Sequence, residues 1–407
     1  MKQVYAQTFG CQMNAADSAE MLLHLAARGC AQTEDLDTAD IVLLNTCTVR
    51  DHAEHRALSF LGRLAKWKAA KEGRVIIFAG CAAQRLGKSV RRKFPQADII
   101  AGAKNIDGFA EIIDNSRLFA PAGAQSGQEQ SGLIGLVNIT RGCGFKCAYC
   151  IVPYVRGEAH SLPPEIIFKE TRRKLDGGAA EIMLLGQVVN GYNYKGLNFS
   201  GLLKELIQLP QLKRLRWMSP HPAFIDEEFA QTIALSQKLS RHMHLPVQSG
   251  SSKVLQEMKR GYTREIFLEK IKLLDQAGVR VSTDIIVGYP TETQKDFEDT
   301  LSLLDAVPFT GAYCFKFSPR ALTPAAALPP IPEEVVEKRL DILLNKVKQS
   351  SKAAYARQTG SVQPVLFETP QNGRTLTNFW VRTTRKYKIG EITDIEIKEA
   401  KETILLG

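Results

Sequence analysis

Over most of its length this chain alternates short apolar runs with amphipathic helical stretches, and few folds accommodate that rhythm. In the first part the runs are Val4–Phe9, Ile41–Asn45, Val75–Ala79 and Ile99–Ala101. Runs that are apolar throughout, separated by helix-length segments, belong to parallel strands covered on both faces, because parallel neighbours need a crossover to return. Each of the first three runs is followed almost at once by a cysteine: Cys11, Cys47 and Cys81. In an open parallel sheet the strand C-termini lie along one edge, where such folds place ligands. Three cysteines spaced by 36 and 34 residues can therefore meet at one point.

From Leu133 onward six more runs read as strands: Leu136–Thr140, Ile182–Leu185, Arg214–Met218, His242–Val247, Val279–Val287 and Gly311–Phe317. Helical patterns such as Pro164–Leu175 and Thr263–Ala277 lie between them, so the spacing predicts a partial (βα)6 barrel with its ligand face at the strand C-termini. The segment 331–354 reads as a connecting helix. Val362–Phe367, Thr377–Arg382, Glu391–Ile397 and Thr403–Leu406 read as strands of a small antiparallel β-barrel. The expected organisation is an α/β sheet domain over 1–120, a Gly/Ser/Gln-rich linker over 121–132, the barrel over 133–330, the helix over 331–354 and the small β-domain over 355–407. No apolar run reaches the ~18 residues of a membrane span. The opening Met-Lys-Gln-Val-Tyr-Ala-Gln has no apolar signal core, so the expected location is cytoplasmic.

Charge sharpens the expectation about partners. The chain has 53 Lys and Arg against 43 Asp and Glu, a net charge of +10. Between Arg50 and Lys93 stand twelve basic residues and three acidic ones, nearly the whole excess. Arg382, Arg385, Lys386 and Lys388 form a second knot near the C-terminus. Such clusters are either solvated helix faces or footprints for nucleic acid.

Eight cysteines in a reducing compartment point to metal or catalysis before disulfides. The strongest local pattern is Cys143-Gly-Phe-Lys-Cys147-Ala-Tyr-Cys150, directly after the first barrel run. Three thiolates on one tight loop can hold three irons of a 4Fe-4S cube and leave the fourth open to a small molecule. Zinc is the competing reading, but a structural zinc site wants four ligands and the nearest downstream histidine is His160. Cys30 and Cys314 fit neither trio and read as packing thiols.

The loop resembles the C-x3-C-x2-C signature of radical S-adenosylmethionine (SAM) enzymes. Taken with Gly10-Cys11-Gln-Met-Asn14, Asn45-Thr-Cys47, Gly80-Cys81, Val152-Pro-Tyr-Val-Arg156-Gly157, His244-Leu-Pro-Val-Gln-Ser-Gly250, Thr283–Pro290 and Ser318-Pro-Arg320, the chain is similar to methylthiotransferases over nearly its whole length. The Gly-Cys-Gln-Met-Asn and Val-Pro-Tyr-Val-Arg-Gly wording most resembles the tRNA branch, which methylthiolates carbon 2 of N6-isopentenyladenosine beside the anticodon. The resemblance implies a central radical-SAM barrel, two 4Fe-4S clusters and S-adenosylmethionine. It assigns Cys143, Cys147 and Cys150 to the catalytic cluster and Cys11, Cys47 and Cys81 to an auxiliary cluster that carries sulfur. It further implies a tRNA anticodon stem-loop as partner, an electron donor such as a flavodoxin or ferredoxin, and action as a monomer.

Gln187, Gln248 and Asp284 fall where a barrel aims residues toward its mouth, and they are the candidates for holding SAM. Ser219, His221 and Ser249 share that placement, with satisfaction of loop backbone as the alternative for each. His242 and His244 alternate on one strand face and read as hydrogen-bonded histidines, since no third metal ligand is evident. Arg156 would meet either an anionic group or an acid such as Glu158. Gly373–Asn378, with the basic knot, resembles the small β-barrel with which this family grips RNA, although the segment before Gly373 is short. Two other functions stay open: the same chemistry on threonylcarbamoyladenosine in tRNA or on a ribosomal-protein aspartate, and a non-catalytic iron–sulfur RNA-binding protein.

Overall fold

A computed structural model of the chain describes residues 1–49, 51–87, 89–120, 123 and 132–407. The linker expected over 121–132 thus lies, apart from Gly123 and Gly132, outside the described residues. The chain forms two compact units. The first comprises Met1–Glu129 together with Arg141–Gly144 and Cys150–His160. The second comprises Gln130–Thr140, Phe145–Tyr149 and Ser161–Gly407. No helix among the described residues is long and apolar enough to cross a membrane.

In the first unit, β1 (Lys2–Phe9), β2 (Cys30–Thr33), β3 (Ile41–Thr46), β4 (Val75–Gly80) and β5 (Ile99–Gly102) form one parallel sheet in the order β2-β1-β3-β4-β5. Every residue of the central strands β3 and β4 is buried. Their two faces feed separate cores, one built on Leu43 and Ile77 against Met21, Leu25 and Phe109, the other on Leu44 and Phe78 against Leu61, Leu64 and Trp67. That two-sided burial explains why these strands read as unbroken apolar runs. Register matters most for function: Phe9 pairs with Thr46, and Thr46 with Gly80, so three strands end in one row. The edge strand β2 has no counterpart among the expected runs, because only one of its four residues, Cys30, is buried and so little apolar signal marks it.

The second unit begins with six parallel barrel strands: β6 (Ile134–Asn138), β7 (Glu181–Leu185), β8 (Arg214–Trp217), β9 (His242–His244), β10 (Arg280–Val287) and β11 (Ala312–Lys316). They form two three-stranded sheets, β8-β7-β6 and β9-β10-β11. The Leu215 amide donates to the Lys238 carbonyl at 2.7 Å and the Ser240 amide to the Leu215 carbonyl at 3.0 Å, stitching the halves into an open barrel. Along β10, Val281, Thr283, Ile285 and Val287 are buried while Ser282, Asp284 and Ile286 are half-buried, the period of two of a strand between a helical layer and a lumen.

A 24-residue helix, Glu333–Ala356, leads to a curled six-stranded sheet of β12 (Val362–Phe367), β13 (Asn372–Thr375), β14 (Trp380–Arg382), β15 (Ile392–Glu396), β16 (Glu399–Lys401) and β17 (Ile404–Leu406). Its pairs are antiparallel except β14–β17, which is parallel. The single strand expected over 377–382 is instead preceded by a turn at Leu376–Asn378, where Asn378 takes φ of 70°. This turn docks the β-domain. Arg214 donates to the carbonyls of Arg374 and Thr375, Arg216 donates to Asn378 Oδ1 at 2.7 Å, and the Arg241 amide donates to the Leu376 carbonyl at 3.0 Å. Both arginines are also paired with the fully buried Glu181. The Gly373–Asn378 segment is therefore engaged inside the second unit.

Candidate functional site

The three N-terminal cysteines extend the row of strand ends. Cys11 follows β1 and opens the helix Gln12–Ala26, and Cys47 follows β3, its amide bonded to the Phe9 carbonyl at 2.8 Å. Cys81 opens the helix Cys81–Leu86 directly after β4. Gly80 makes that last turn possible: at φ of 94°, a Cβ there would stand 2.2 Å from Asn45 Oδ1 and 2.6 Å from the Thr46 carbonyl. Cys11 is exposed, whereas Cys47 and Cys81 are buried.

Two buried asparagines frame the trio. Asn14 Oδ1 accepts from the Cys11 amide at 3.4 Å and from its thiol at 3.3 Å. Asn14 Nδ2 donates to Asn45 Oδ1 at 3.2 Å, and Asn45 Nδ2 returns to the Asn14 carbonyl at 2.8 Å. The Val49 amide donates to Cys47 Sγ at 3.3 Å. A hydrogen bond from Cys47 holds the Cys11 thiol down at about 6, aided by the backbone at Asn14 and by the Arg156 charge. As donor in that bond, and by burial, Cys47 is pushed up. Burial also raises Cys81, with Arg156 opposing. Among the described residues no three metal-binding side chains close round a single ion. Three neighbouring thiols on separate strand ends are instead a soft donor set of the kind that would hold three irons of a cube, one thiolate for each.

Arg156 answers the question its sequence position raised. Its Nε donates to Cys81 Sγ at 3.3 Å and its Nη2 pairs with Asp17 Oδ2 at 2.8 Å, while among the described residues no ion pair joins it to Glu158. The other Asp17 oxygen takes Arg141 Nη1 at 2.7 Å, and Arg141 also reaches Glu20 and Asp107. Asp17 is fully buried, on the same helix face as Met13, Asn14, Met21 and Leu25. Sequence reasoning missed Asn14 and Asp17 as site residues. The available signal was a pair of polar residues on an otherwise apolar stripe, a placement that requires buried partners.

The C-x3-C-x2-C loop contributes to both units. In the first unit the Cys143 amide donates to the Gly157 carbonyl at 3.1 Å. Gly142, at φ of 72°, passes so close to Glu158 that a Cβ would meet its carbonyl oxygen at 1.9 Å. Cys150 leads into the short helix Val152–Arg156, whose Val155 packs with Ile151 on Cys81. In the second unit Phe145 stacks on His221 with centroids 3.9 Å apart, and the Ala148 amide donates to the Met258 carbonyl at 2.9 Å. Cys147 is buried, and its Sγ accepts from Arg260 Nη1 at 3.5 Å. Arg260 is anchored by the Pro246 carbonyl and the Tyr262 hydroxyl, both at 3.0 Å, and among the described residues no carboxylate pairs with it. Burial, with Arg260 adding to it, pushes His221 down to about 3, so it faces the loop as neutral imidazole.

The other expected site residues are placed as follows. Gln187 lies two residues past β7. Gln248 holds a left-handed backbone, φ of 76°, because its amide and carbonyl bridge the Asp284 carbonyl and the Ile286 amide, each at 2.9 Å. Asp284 sits within β10, three residues before its end, and its carboxylate pairs with His244 Nε2 at 3.1 Å. His244 Nδ1 meets Ser282 Oγ at 3.0 Å, the hydrogen-bonded setting expected for it. Cys30 packs in the first core and Cys314 against the barrel core.

In the basic clusters some cations are held by acids or rings at the surface and others stand exposed. Arg50 and Lys88 lie outside the described residues. Lys68 pairs with Asp98, Lys71 with Asp40 and Arg85 with Glu54, while Arg74 covers Trp67. Among the described residues, Arg56, Arg63, Lys66, Arg91, Arg92 and Lys93 are exposed cations. In the β-domain Arg382, Arg385, Lys386 and Lys388 are all exposed.

Fold and loop together define a radical SAM protein: the radical SAM superfamily matches residues 137–304, and the uncharacterized protein family UPF0004 matches residues 3–102. Solved structures share the fold. The radical S-adenosylmethionine methyltransferase TsrM from Kitasatospora setae superposes with a TM-score of 0.59 at 15% identity, over 80% of this chain and 77% of its own. The cobalamin-dependent S-adenosylmethionine radical enzyme OxsB gives 0.54 at 11% identity, over 86% and 56%. Relatives along the full length are closer in sequence. The tRNA-2-methylthio-N(6)-dimethylallyladenosine synthases of Campylobacter jejuni and Endomicrobium trichonymphae are each 38% identical, covering 100% and 98% of this chain and 99% and 98% of their own. That of Wolinella succinogenes is 36% identical over 100% of this chain and 99% of its own. The chain belongs to the tRNA-2-methylthio-N(6)-dimethylallyladenosine synthase family.

Proposed function

We propose that this protein methylthiolates carbon 2 of N6-isopentenyladenosine beside the anticodon of tRNA. Cys143, Cys147 and Cys150 hold the SAM-binding cluster, and Cys11, Cys47 and Cys81 hold an auxiliary one. When bound, the first supplies the electron that cleaves SAM to a 5′-deoxyadenosyl radical, and the second a soft platform for sulfur. The observation that carries this reading is the row of three cysteines at adjoining strand ends, beside a separate C-x3-C-x2-C loop. A radical site alone can abstract hydrogen, whereas insertion of sulfur needs a second donor set.

The chain's own groups have definite tasks. Asn14 and Asn45 fix the thiols of the first trio, Phe145 on His221 and Arg260 on Cys147 seat the loop, and Gln187, Gln248 and Asp284 hold SAM. Exposed cations such as Arg385, Lys386 and Lys388 neutralise phosphates of the tRNA anticodon stem-loop without reading its bases. The electron donor is a flavodoxin- or ferredoxin-type protein, and the enzyme acts as a cytoplasmic monomer. Incubation of reconstituted protein with SAM, a reductant and isopentenylated tRNA should yield the 2-methylthio nucleoside by mass spectrometry. Absence of product from protein bearing both clusters, with turnover of threonylcarbamoylated tRNA or ribosomal protein instead, would overturn the substrate assignment.

A further inference from the structure

Arg156 belongs to the chain segment that follows the radical loop, yet its guanidinium ends on an N-terminal cysteine. The helix Val152–Arg156 is only five residues long, and Ile151 and Val155 pack with Cys81, which brings Arg156 beside that cysteine. Its side chain is 5% exposed and that of Asp17 is 0% exposed. The fork is divided: Nη2 meets Asp17 at 2.8 Å and Nε meets Cys81 Sγ at 3.3 Å. Asp17 also serves Arg141, so Arg156 has only a share of one carboxylate. A buried guanidinium with half a counter-ion is completed by negative charge on the sulfur it faces.

We propose that Arg156 is a positioning residue that tunes the auxiliary centre: anchored by Asp17, it donates to the Cys81 sulfur and stabilises the more negative, reduced state of a cluster held there. The inference rests on the assignment of Cys11, Cys47 and Cys81 as cluster ligands. Hydrogen bonds to cluster sulfurs and nearby charge are established controls of iron–sulfur potential, and in a site closed to water a single guanidinium acts with little screening. Arg260 on Cys147 has the corresponding place at the loop, but its anchors are a carbonyl and phenols, so the two trios have different charge environments.

The test uses the full chain with Cys143, Cys147 and Cys150 replaced by Ala, so that only the auxiliary centre is read. This parent, its Arg156→Gln form and its Arg156→Lys form are reconstituted with iron and sulfide, then compared by iron content, electron paramagnetic resonance and redox titration. Arg156→Gln should retain its iron but show about a tenfold lower reduced-to-oxidised ratio at a fixed potential, which for a one-electron couple is ~59 mV. Arg156→Lys, which keeps the charge but not the fork, should fall between. An unchanged ratio and spectrum in Arg156→Gln overturns the proposal. If that variant fails to assemble, an unchanged ratio and spectrum in Arg156→Lys does so. A parent that binds no cluster overturns the ligand assignment itself, and the inference with it.

Discussion

The two cysteine trios are built on opposite plans. One lies within eight consecutive residues, so its members are close along the chain. The other draws on three strands whose ends fall in one row, and its sulfurs are neighbours because a parallel sheet has a common C-terminal edge. A buried arginine faces one sulfur in each, Arg156 at 3.3 Å and Arg260 at 3.5 Å. Arg156 is fixed by a carboxylate that it shares with Arg141, whereas Arg260 leans on a carbonyl and hydroxyls. Yet both depend on ties to distant parts of the chain, the loop through His221, Met258 and Arg260 and the dispersed site through Arg156 and Asp17.

Exchanging the trios should give the largest effect. Replacing Cys11, Cys47 and Cys81 by Ala, or Cys143, Cys147 and Cys150, should in either case lower iron from about eight to about four per chain and abolish product. Only the second set should also abolish cleavage of SAM to 5′-deoxyadenosine, as followed by chromatography. Equal loss of cleavage in both would end the division of labour.

Asp17→Ala should be the most damaging single change for folding. It leaves two buried guanidiniums short of their shared carboxylate, at a cost of about 3–5 kcal/mol by denaturant titration. Gly80→Ala comes next, because at φ of 94° the added methyl meets Asn45 and the Thr46 carbonyl. A loss of about 1–3 kcal/mol is expected, with auxiliary iron lost before the radical cluster's iron.

On the loop side, His221 is held at about 3, below its ordinary 6.5. Above pH ~6.5 neither folded nor unfolded chain protonates this ring. As pH falls from there toward 3 the unfolded chain takes up a proton that the folded one refuses, so stability drains across that window. His221→Phe, which keeps the stack on Phe145, should lessen the acid-side slope of unfolding free energy by one proton. The smallest effect on folding is expected for Arg385, Lys386 and Lys388 changed together to Ala, all being exposed. Stability should stay within about 0.5 kcal/mol for each, while tRNA affinity falls and its salt slope lessens by up to ~0.9 per lost phosphate contact.

Much of this was legible from spacing. Local spacing alone displays Cys143, Cys147 and Cys150, and the alternation of apolar runs with helices locates the six barrel strands to within a few residues. Cys11, Cys47 and Cys81 needed one further step, that strands of this kind run parallel and end together. Strand β2 escaped notice because a short edge strand buries little. The turn at Leu376–Asn378 read as strand because nothing local signals that Arg214, Arg216 and Arg241 take its carbonyls and amide oxygen.

By itself, then, the sequence determined the parallel sheet, the barrel, the loop and the two sets of three thiols, since each follows from a period or a short spacing along the chain. Tertiary structure alone decided that Arg156 serves Cys81, that Asp17 holds two arginines, and that Asn14 and Asn45 bind each other. Those pairings join residues up to 139 positions apart. A buried polar group announces that it needs a partner, but only the folded backbone determines which one lies within reach.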